Sequence, residues 1–537
     1  MRSSATILGF VLSLFLLSTA SAQPQPPSSL SNEFSGIDYF IVIYQENWSF
    51  DSLYGFFPGA NGISNASAVA WTQRDRRTGE SLEARANYNP VSLFIPRQNP
   101  PAPLNEFGAH DPRFLAQPAN TNGPLLPGLN PLQPFDLARY LSATNRTGDL
   151  VHRFWQQQFQ IHRGAMDRFV TWSDNPGLVM SYFDASQLPE GRLAQQFVLC
   201  DNFFHSAFGG SFLNHHFLVA AAAPVYPNGE RLDPGDVAWL DGQGVLRLTT
   251  GNGYILRDGA LTPIGAVSFA NPARRFDKNY AVNTINSANL APSGSPTSPL
   301  LLPSQNNSNP SDPRRPYLPT IGDRLDAAGI SWKWYAGGWE EALDRSPTNP
   351  EHYGESRTNL AVTFQWHHQP FAYYDNYAPW INGQRNVRSA AHLQDERNFF
   401  RDLENGTLPR VSFVKPLGPD NEHPGYSSLL QGQQHVADLV AAVQKNPSVW
   451  AKAAIVITYD ENGGRWDHVA PPTRDIWGPG TRVPTIIISP FARTNYVDHT
   501  QYETLSILST LEKRFGLQPL NELDATGPTL APAFRSR

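Results

Sequence analysis

A disulfide framework is excluded by the cysteine count: Cys200 stands alone among 537 residues, so stability must come from the core. Cys200 closes the apolar run 197–199 and reads as a small buried hydrophobe. Charge is sparse as well. Charged residues make up 16% of the chain and the net charge is −6, whereas a nucleic-acid surface is strongly basic. Beyond the first 22 residues no apolar run is long enough to span a bilayer, so no transmembrane segment is expected in the mature chain.

What is present is length, apolar content and loop formers. Hydrophobic residues reach 40%, enough for a sizeable core in one large or two ordinary domains. The 47 Pro and 40 Gly point to long ordered loops. Residues 1–22 have the form of a secretory signal: Arg2, an apolar run over 7–17, and Ala20-Ser21-Ala22 before Gln23, with no twin arginine. A secreted or periplasmic protein is expected, with a Pro/Ser-rich leader over 23–36. The sequons at Asn47, Asn65, Asn145, Asn306 and Asn405 matter only in a glycosylating source.

Residues 453–472 organise the reading. A mostly apolar run over 453–458 ends in Tyr459, Asp460 and Glu461, followed by Asn462-Gly463-Gly464. This predicts a buried strand that delivers carboxylates to a loop at its carboxyl end, the edge where open α/β sheets bind ligands. The stretch 37–51 has the same form: an apolar run over 40–44, then Gln45, Glu46 and Asn47, with Ser49 placed to cap a helix near Phe50. Side by side and parallel, the two strands bring Glu46, Asn47, Asp460 and Glu461 to one edge. Three close carboxylates need protons or a cation, and an all-oxygen set suits a divalent metal of unspecified identity.

Other stretches extend an α/β pattern. Residues 149–169 read as a helix carrying His152 and His162; 196–204 as strand then loop; 217–223 as a helix after the loop Gly209-Gly210-Ser211. A serine there suits either a nucleophile near a helix N-terminus or an ordinary N-cap. Residues 69–134 read as irregular, 226–309 as a β-rich insertion and 293–313 as a low-complexity loop. A helix over 319–328 and a strand over 330–335 follow, then a loop with His367 and His368 over 365–370. Next come a strand over 411–414, a loop holding Glu422 and His423, a helix over 429–445, a strand over 484–488 and a helix over 502–515. Strands alternating with helices predict a mainly parallel sheet covered on both faces.

Four motifs in order carry a resemblance: Gln45–Asp51 (QENWSFD), Gly209–His215 (GGSFLNH), Glu422–Pro424 (EHP) and Tyr459–His468 (YDENGGRWDH). Together they resemble the bacterial phosphoesterases that include acid phosphatase A and the non-haemolytic phospholipases C, over about 37–517, with 518–537 as a C-terminal tail. The resemblance implies an alkaline phosphatase-like α/β core and a small phosphoester substrate. It makes Glu46, Asn47, Asp460, Glu461 and Ser211 metal ligands and Ser211 the nucleophile, which forms a phosphoserine. It sets His423, His152 and His368 beside the phosphate or leaving group, with His367 an equal alternative to His368. Trp48 stands where the family usually has Arg, and Glu461-Asn462 where it has Asp or Glu-His. Ser211 followed by Asn214-His215-His216 is similar to the acid phosphatase branch; the phospholipase branch more often has Thr at that position and adds C-terminal domains, for which no room is expected here.

The reading is therefore an exported, metal-dependent acid phosphatase, with a protonated His423 as proton donor at mildly acid pH. A phospholipase C-type diesterase is the nearest rival. A glycoside hydrolase would need neither metal nor serine, and a non-catalytic binding protein would use the same pocket without turnover.

Overall fold

The computed structural model describes residues 34–75, 79–82, 132–139, 141–173, 178–223, 319–343, 364–381 and 383–535, together with five short strands between 238 and 282. The signal, nearly all of the leader, most of 69–134, the low-complexity loop and the rest of the expected insertion lie outside the described residues.

Eight strands form the central sheet: β1 (Tyr39–Gln45), β2 (Val198–Cys200), β3 (Trp332–Ala336), β4 (Leu393–Asp395), β5 (Val411–Lys415), β6 (Ala453–Tyr459), β7 (Thr485–Ile488) and β8 (Tyr496–Asp498). Their order is β4-β3-β5-β1-β6-β7-β2-β8. Every neighbouring pair is parallel except those made by β7, which runs against β6 and β2. The cause is the connection. No helix interrupts 460–484, so the chain leaving β6 re-enters the sheet from the same edge and must run back. The fold is α/β with a mostly parallel sheet. β1 and β6 lie at its centre, are buried almost throughout and show no polar alternation, as strands covered on both faces require.

The helices that frame the site are α1 (Phe50–Tyr54), α2 (Phe154–Ile161), α3 (Pro189–Gln196), α4 (Ser211–Ala220), α5 (Ile321–Ala327), α6 (Leu429–Gln444) and α7 (Leu505–Phe515). Several differ from the sequence reading. Of the helix expected over 149–169 only α2 forms. His162, Arg163 and Met166 take positive φ, and 149–153 stays extended, pinned beneath two glycines. A Cβ on Gly464 would lie 2.6 Å from the Val151 carbonyl oxygen, and one on Gly209 would lie 2.3 Å from the Phe154 nitrogen. Helix α4 starts six residues before the apolar stretch that predicted it. Helix α7 starts at Leu505, because Tyr502–Glu503 pairs as a strand with Phe203–Phe204. A one-turn helix, Ala68–Trp71, interrupts the stretch read as irregular. Between 238 and 282 the strands form two small antiparallel sheets. At the far end, Leu530 is buried and Phe534 meets Phe34 edge-on, so this stretch packs against the core.

Candidate active site

Register builds the site. Gln45 pairs with Tyr459, so β1 and β6 end level and the next residues, Glu46 and Asp460, stand together at the carboxyl edge. The Asp460 amide donates to the Gln45 carbonyl at 3.0 Å, extending the ladder by one step. Asn47 then turns with φ 69°. Gly463 lies against that turn, where a Cβ would come within 2.4 Å of the Asn47 carbonyl oxygen. Its own amide donates to Glu461 Oε2 at 2.6 Å. Helix α4 brings in Ser211, whose side chain works against the rise of the Asp460 carboxyl. The N-cap of α4 is Gly210 and makes no side-chain cap, so Ser211 is not serving as an N-cap.

The four ligand candidates from the two strand ends are buried, and each presents an oxygen with no hydrogen-bond partner: Glu46 Oε2, Asn47 Oδ1, Asp460 Oδ2 and Glu461 Oε1. Buried acceptors are almost always paired, so four orphans at one edge point to a partner other than a protein donor. Glu46, Asp460 and His215 also offer atoms within 4.8 Å of one another. Lys415, at the end of β5, places Nζ 2.5 Å from Glu46 Oε1. Three carboxyls and one lysine leave two negative charges, the balance one divalent cation supplies. The residues fit such an ion.

The electrostatics agree. Burial works to raise the Glu46 carboxyl, but His368 and Lys415 outweigh it and hold the group well below the usual carboxylate range. Burial and the Glu46 charge push Asp460 up to about 8. Burial and Asp460 raise Glu461 well above its ordinary value.

The histidines divide into two groups. On one side, His368 Nε2 lies 2.6 Å from Glu46 Oε1, so of the adjacent pair His368 makes the direct contact; His367 is also within reach of Glu46. His215, one turn after Ser211, donates from Nδ1 to the Ser211 carbonyl at 2.7 Å and stacks on His368 with centroids 5.7 Å apart. Burial above all pushes His215, His367 and His368 below the usual imidazole value, with Glu46 working the other way on each. On the other side, His152 Nε2 lies 3.5 Å from Glu461 Oε1 and His423 Nε2 lies 3.8 Å from Glu46 Oε2, with the two rings 6.1 Å apart. His152 Nδ1 faces the Leu150 carbonyl and therefore carries the ring proton. Asn47 Nδ2 then donates to His152 Nε2 at 3.5 Å, which turns Asn47 Oδ1 toward the cluster.

His423 departs from its expected state. Its Nδ1 donates to the Pro424 carbonyl at 2.6 Å, so in the neutral ring Nε2 is a bare acceptor. Burial pushes the group down to about 3. The resting site therefore does not hold the protonated His423 expected at mildly acid pH.

Other motif residues hold the loops instead of facing the cluster. Asp51 and Asp467 clamp the buried Arg482, at 3.0 and 2.9 Å, and Asp51 accepts from His468 Nδ1 at 2.7 Å. Trp48 donates from its indole to the Glu422 carbonyl at 3.0 Å and lies beneath the Arg465 guanidinium, 3.9 Å from the ring centroid. Asn462 bridges Gln157 and Arg465, a structural role. Sequence reasoning missed Lys415 and His215. Each carried a signal: a lysine closing an apolar run, and a histidine four residues after the serine on one helix face.

A phosphoesterase family model matches residues 37–518. The chain is 29% identical over 241 residues to the non-hemolytic phospholipase C of Burkholderia pseudomallei (strain K96243), a match that covers 37% of this chain and only 33% of that protein. It is 29% identical over 517 residues to phospholipase C A of Mycobacterium tuberculosis (strain ATCC 25618 / H37Rv), covering 90% of this chain and 73% of that protein. Among solved structures, a protein in the alkaline phosphatase superfamily from Vibrio parahaemolyticus aligns with TM-score 0.28 and 9% identity, over 82% of this chain and 80% of that chain.

Proposed function

The chain belongs to the phosphoesterase family, and from that premise we propose that it is an exported hydrolase of phosphoric esters, a metal-dependent phosphomonoesterase that works through a phosphoserine on Ser211. One observation carries the reading: Ser211 opens α4 beside Asp460, at the edge where four buried oxygens lack donors. The export part rests on the pattern of residues 1–22.

Glu46, Asn47, Asp460 and Glu461 would hold the divalent cation, which would supply charge neutralisation and polarise oxygen. Ser211 Oγ attacks phosphorus in line. Its proton passes to the neighbouring Asp460 carboxylate as the Oγ–P bond forms and the bond from phosphorus to the leaving oxygen breaks. The first amides of α4 point their N–H groups, and the positive end of the helix dipole, at the phosphoryl oxygens. His423 Nε2 lies 3.8 Å from Glu46 Oε2 at the same strand edge. The anionic ester favours its protonated form, so it gains a proton with substrate and passes it to the leaving alkoxide. The neutral ring then takes a proton from water, which attacks phosphorus and breaks the Oγ–P bond, while Asp460 returns its proton to Oγ and restores Ser211. A donor charged only in the complex affects the pH dependence of kcat, whereas that of kcat/KM reports groups of the free enzyme.

The names of the relatives favour a second reading, a diesterase of the phospholipase C kind. Assays on p-nitrophenyl phosphate and on its phosphocholine ester, across pH and before and after chelation, separate the two. Preferential monoester turnover that is lost on chelation supports the first. Preference for the choline ester moves the chain to the second, and inertness toward both defeats the proposal.

A further inference from the structure

One layer beneath the strand ends lies an acid pair that the reaction above does not use. Glu190, on α3, and Glu422 are both fully buried, and their carboxyls converge on one tyrosine hydroxyl. The Tyr459 hydroxyl lies 3.0 Å from Glu190 Oε2 and 2.7 Å from Glu422 Oε2. Gln45 Nε2 donates to Glu422 Oε1 at 3.0 Å. Gln45, Glu422 and Tyr459 are the residues immediately before Glu46, His423 and Asp460. Three chain segments that deliver the site thus meet on this one pair.

The pair is held from behind. Glu422 has φ 69°, a strained value for a residue with a side chain, and its carbonyl accepts from the Trp48 indole. Helix α6 packs so closely that a Cβ on Gly432 would lie 2.2 Å from Glu422 Cγ. Gln433 of the same helix accepts from the Glu190 amide at 3.3 Å. The titratable groups facing the pair are Tyr54 from α1 and Tyr459 from β6. Tyr459 has one hydrogen to offer two carboxyl oxygens, so a second proton is needed to join all three. Burial supports its retention, pushing Glu422 up to about 7 and Glu190 well above its ordinary value.

We propose that Glu190 and Glu422 share one proton and act as positioning residues: while the proton is held, Gln45, Glu422 and Tyr459 are drawn together and Glu46, His423 and Asp460 stay in register; when it is lost, the two carboxylates repel and spread them. The inference rests on the phosphoesterase reading for its activity readout.

The test compares the full chain with Glu190→Gln, whose amide supplies N–H permanently, in the presence of the cation that supports parent activity. The variant is expected to keep parent-like kcat/KM for p-nitrophenyl phosphate at acid pH and to lose the fall on the alkaline side, or to move it up by about one pH unit or more. Difference infrared spectra at about pH 6, above the ordinary carboxyl value, are expected to show a protonated-carboxyl band in the parent that the variant lacks. Should Glu190→Gln not fold, Tyr459→Phe serves, since removing a donor to the ionised pair shifts both the limb and the band upward in pH. A pH profile that superimposes on the parent's while only thermal stability changes would overturn the proposal, as would a pair that shows no protonated band. If the parent itself is inert toward phosphoesters, the functional reading fails and the infrared result alone decides this one.

Discussion

Ser211 stands beside Asp460, and the covalent route depends on that placement. Ser211→Ala removes a hydroxyl from a buried helix start and leaves the four oxygens in place, so the protein should fold, retain the cation and lose turnover by at least about a thousandfold. Calorimetric cation binding together with kcat checks this; retained turnover excludes a phosphoserine. Lys415 poses a different question. Its ammonium is fully buried against Glu46, and Lys415→Met would leave that carboxylate with His368 alone. Breaking a buried pair costs about 3–5 kcal/mol, so the urea midpoint should drop sharply, with Lys415→Arg failing to restore it because a planar fork does not fit a point-charge site. An unchanged midpoint would mean that His368 alone suffices for Glu46. At this scale the candidate ligands were legible, since Glu46, Asn47, Asp460 and Glu461 all follow apolar runs. Lys415 and His215 were not, because their meaning depends on which strand and helix stand beside Glu46, and neither is a sequence neighbour.

Strand ends deliver these residues, and the loops beyond the strands are tied to one another. The buried Arg482 reaches Asp51 after β1 and Asp467 after β6, so one guanidinium ties the two carboxylate-bearing loops together. Gly463 is where they touch. At φ 60° a side chain is already strained, and a Cβ would strike the Asn47 backbone at 2.4 Å. Gly463→Ala should therefore cost about 2 kcal/mol or more in stability and depress kcat by moving Asn47 and Glu461. Melting temperature and kcat measured together test this, and a variant with parental values of both would show that the loops are not in forced contact. The central strands were readable because a buried parallel strand is a continuous apolar run. The helix over 149–169 was misread because apolar spacing there reflects burial beneath Gly209 and Gly464, and glycines some fifty and three hundred residues away leave no local trace. The reversal of β7 was equally invisible, since direction is fixed by the connection and not by the strand's own residues.

For the whole molecule, the net charge of −6 says less than where the buried acids sit. Asp460 is pushed up to about 8 and Glu461 well above its ordinary range, while in the unfolded chain both ionise near about 4. Between those values the folded state holds the extra protons. Their contribution to stability is present below the ordinary carboxyl range and is lost as pH rises through about 8, at up to about 1.4 kcal/mol per proton per pH unit. Glu190 and Glu422 act with the same sign, but their contacts are to Tyr459 and Gln45, apart from the strand-end oxygens. A divalent cation on the strand-end oxygens replaces protons there and only there. Chelated protein should thus melt at a lower temperature near pH 9 than near pH 6, and saturating cation should recover part of the gap, with the remainder belonging to the buried pair. Binding near pH 7 should release on the order of one to two protons, read by calorimetry in buffers of different ionisation enthalpy. Proton release with recovery of the melting temperature ties the ion to Asp460 and Glu461. Cation binding with no proton release would place it elsewhere, and the oxygen cluster would then need a different partner for its four unpaired acceptors.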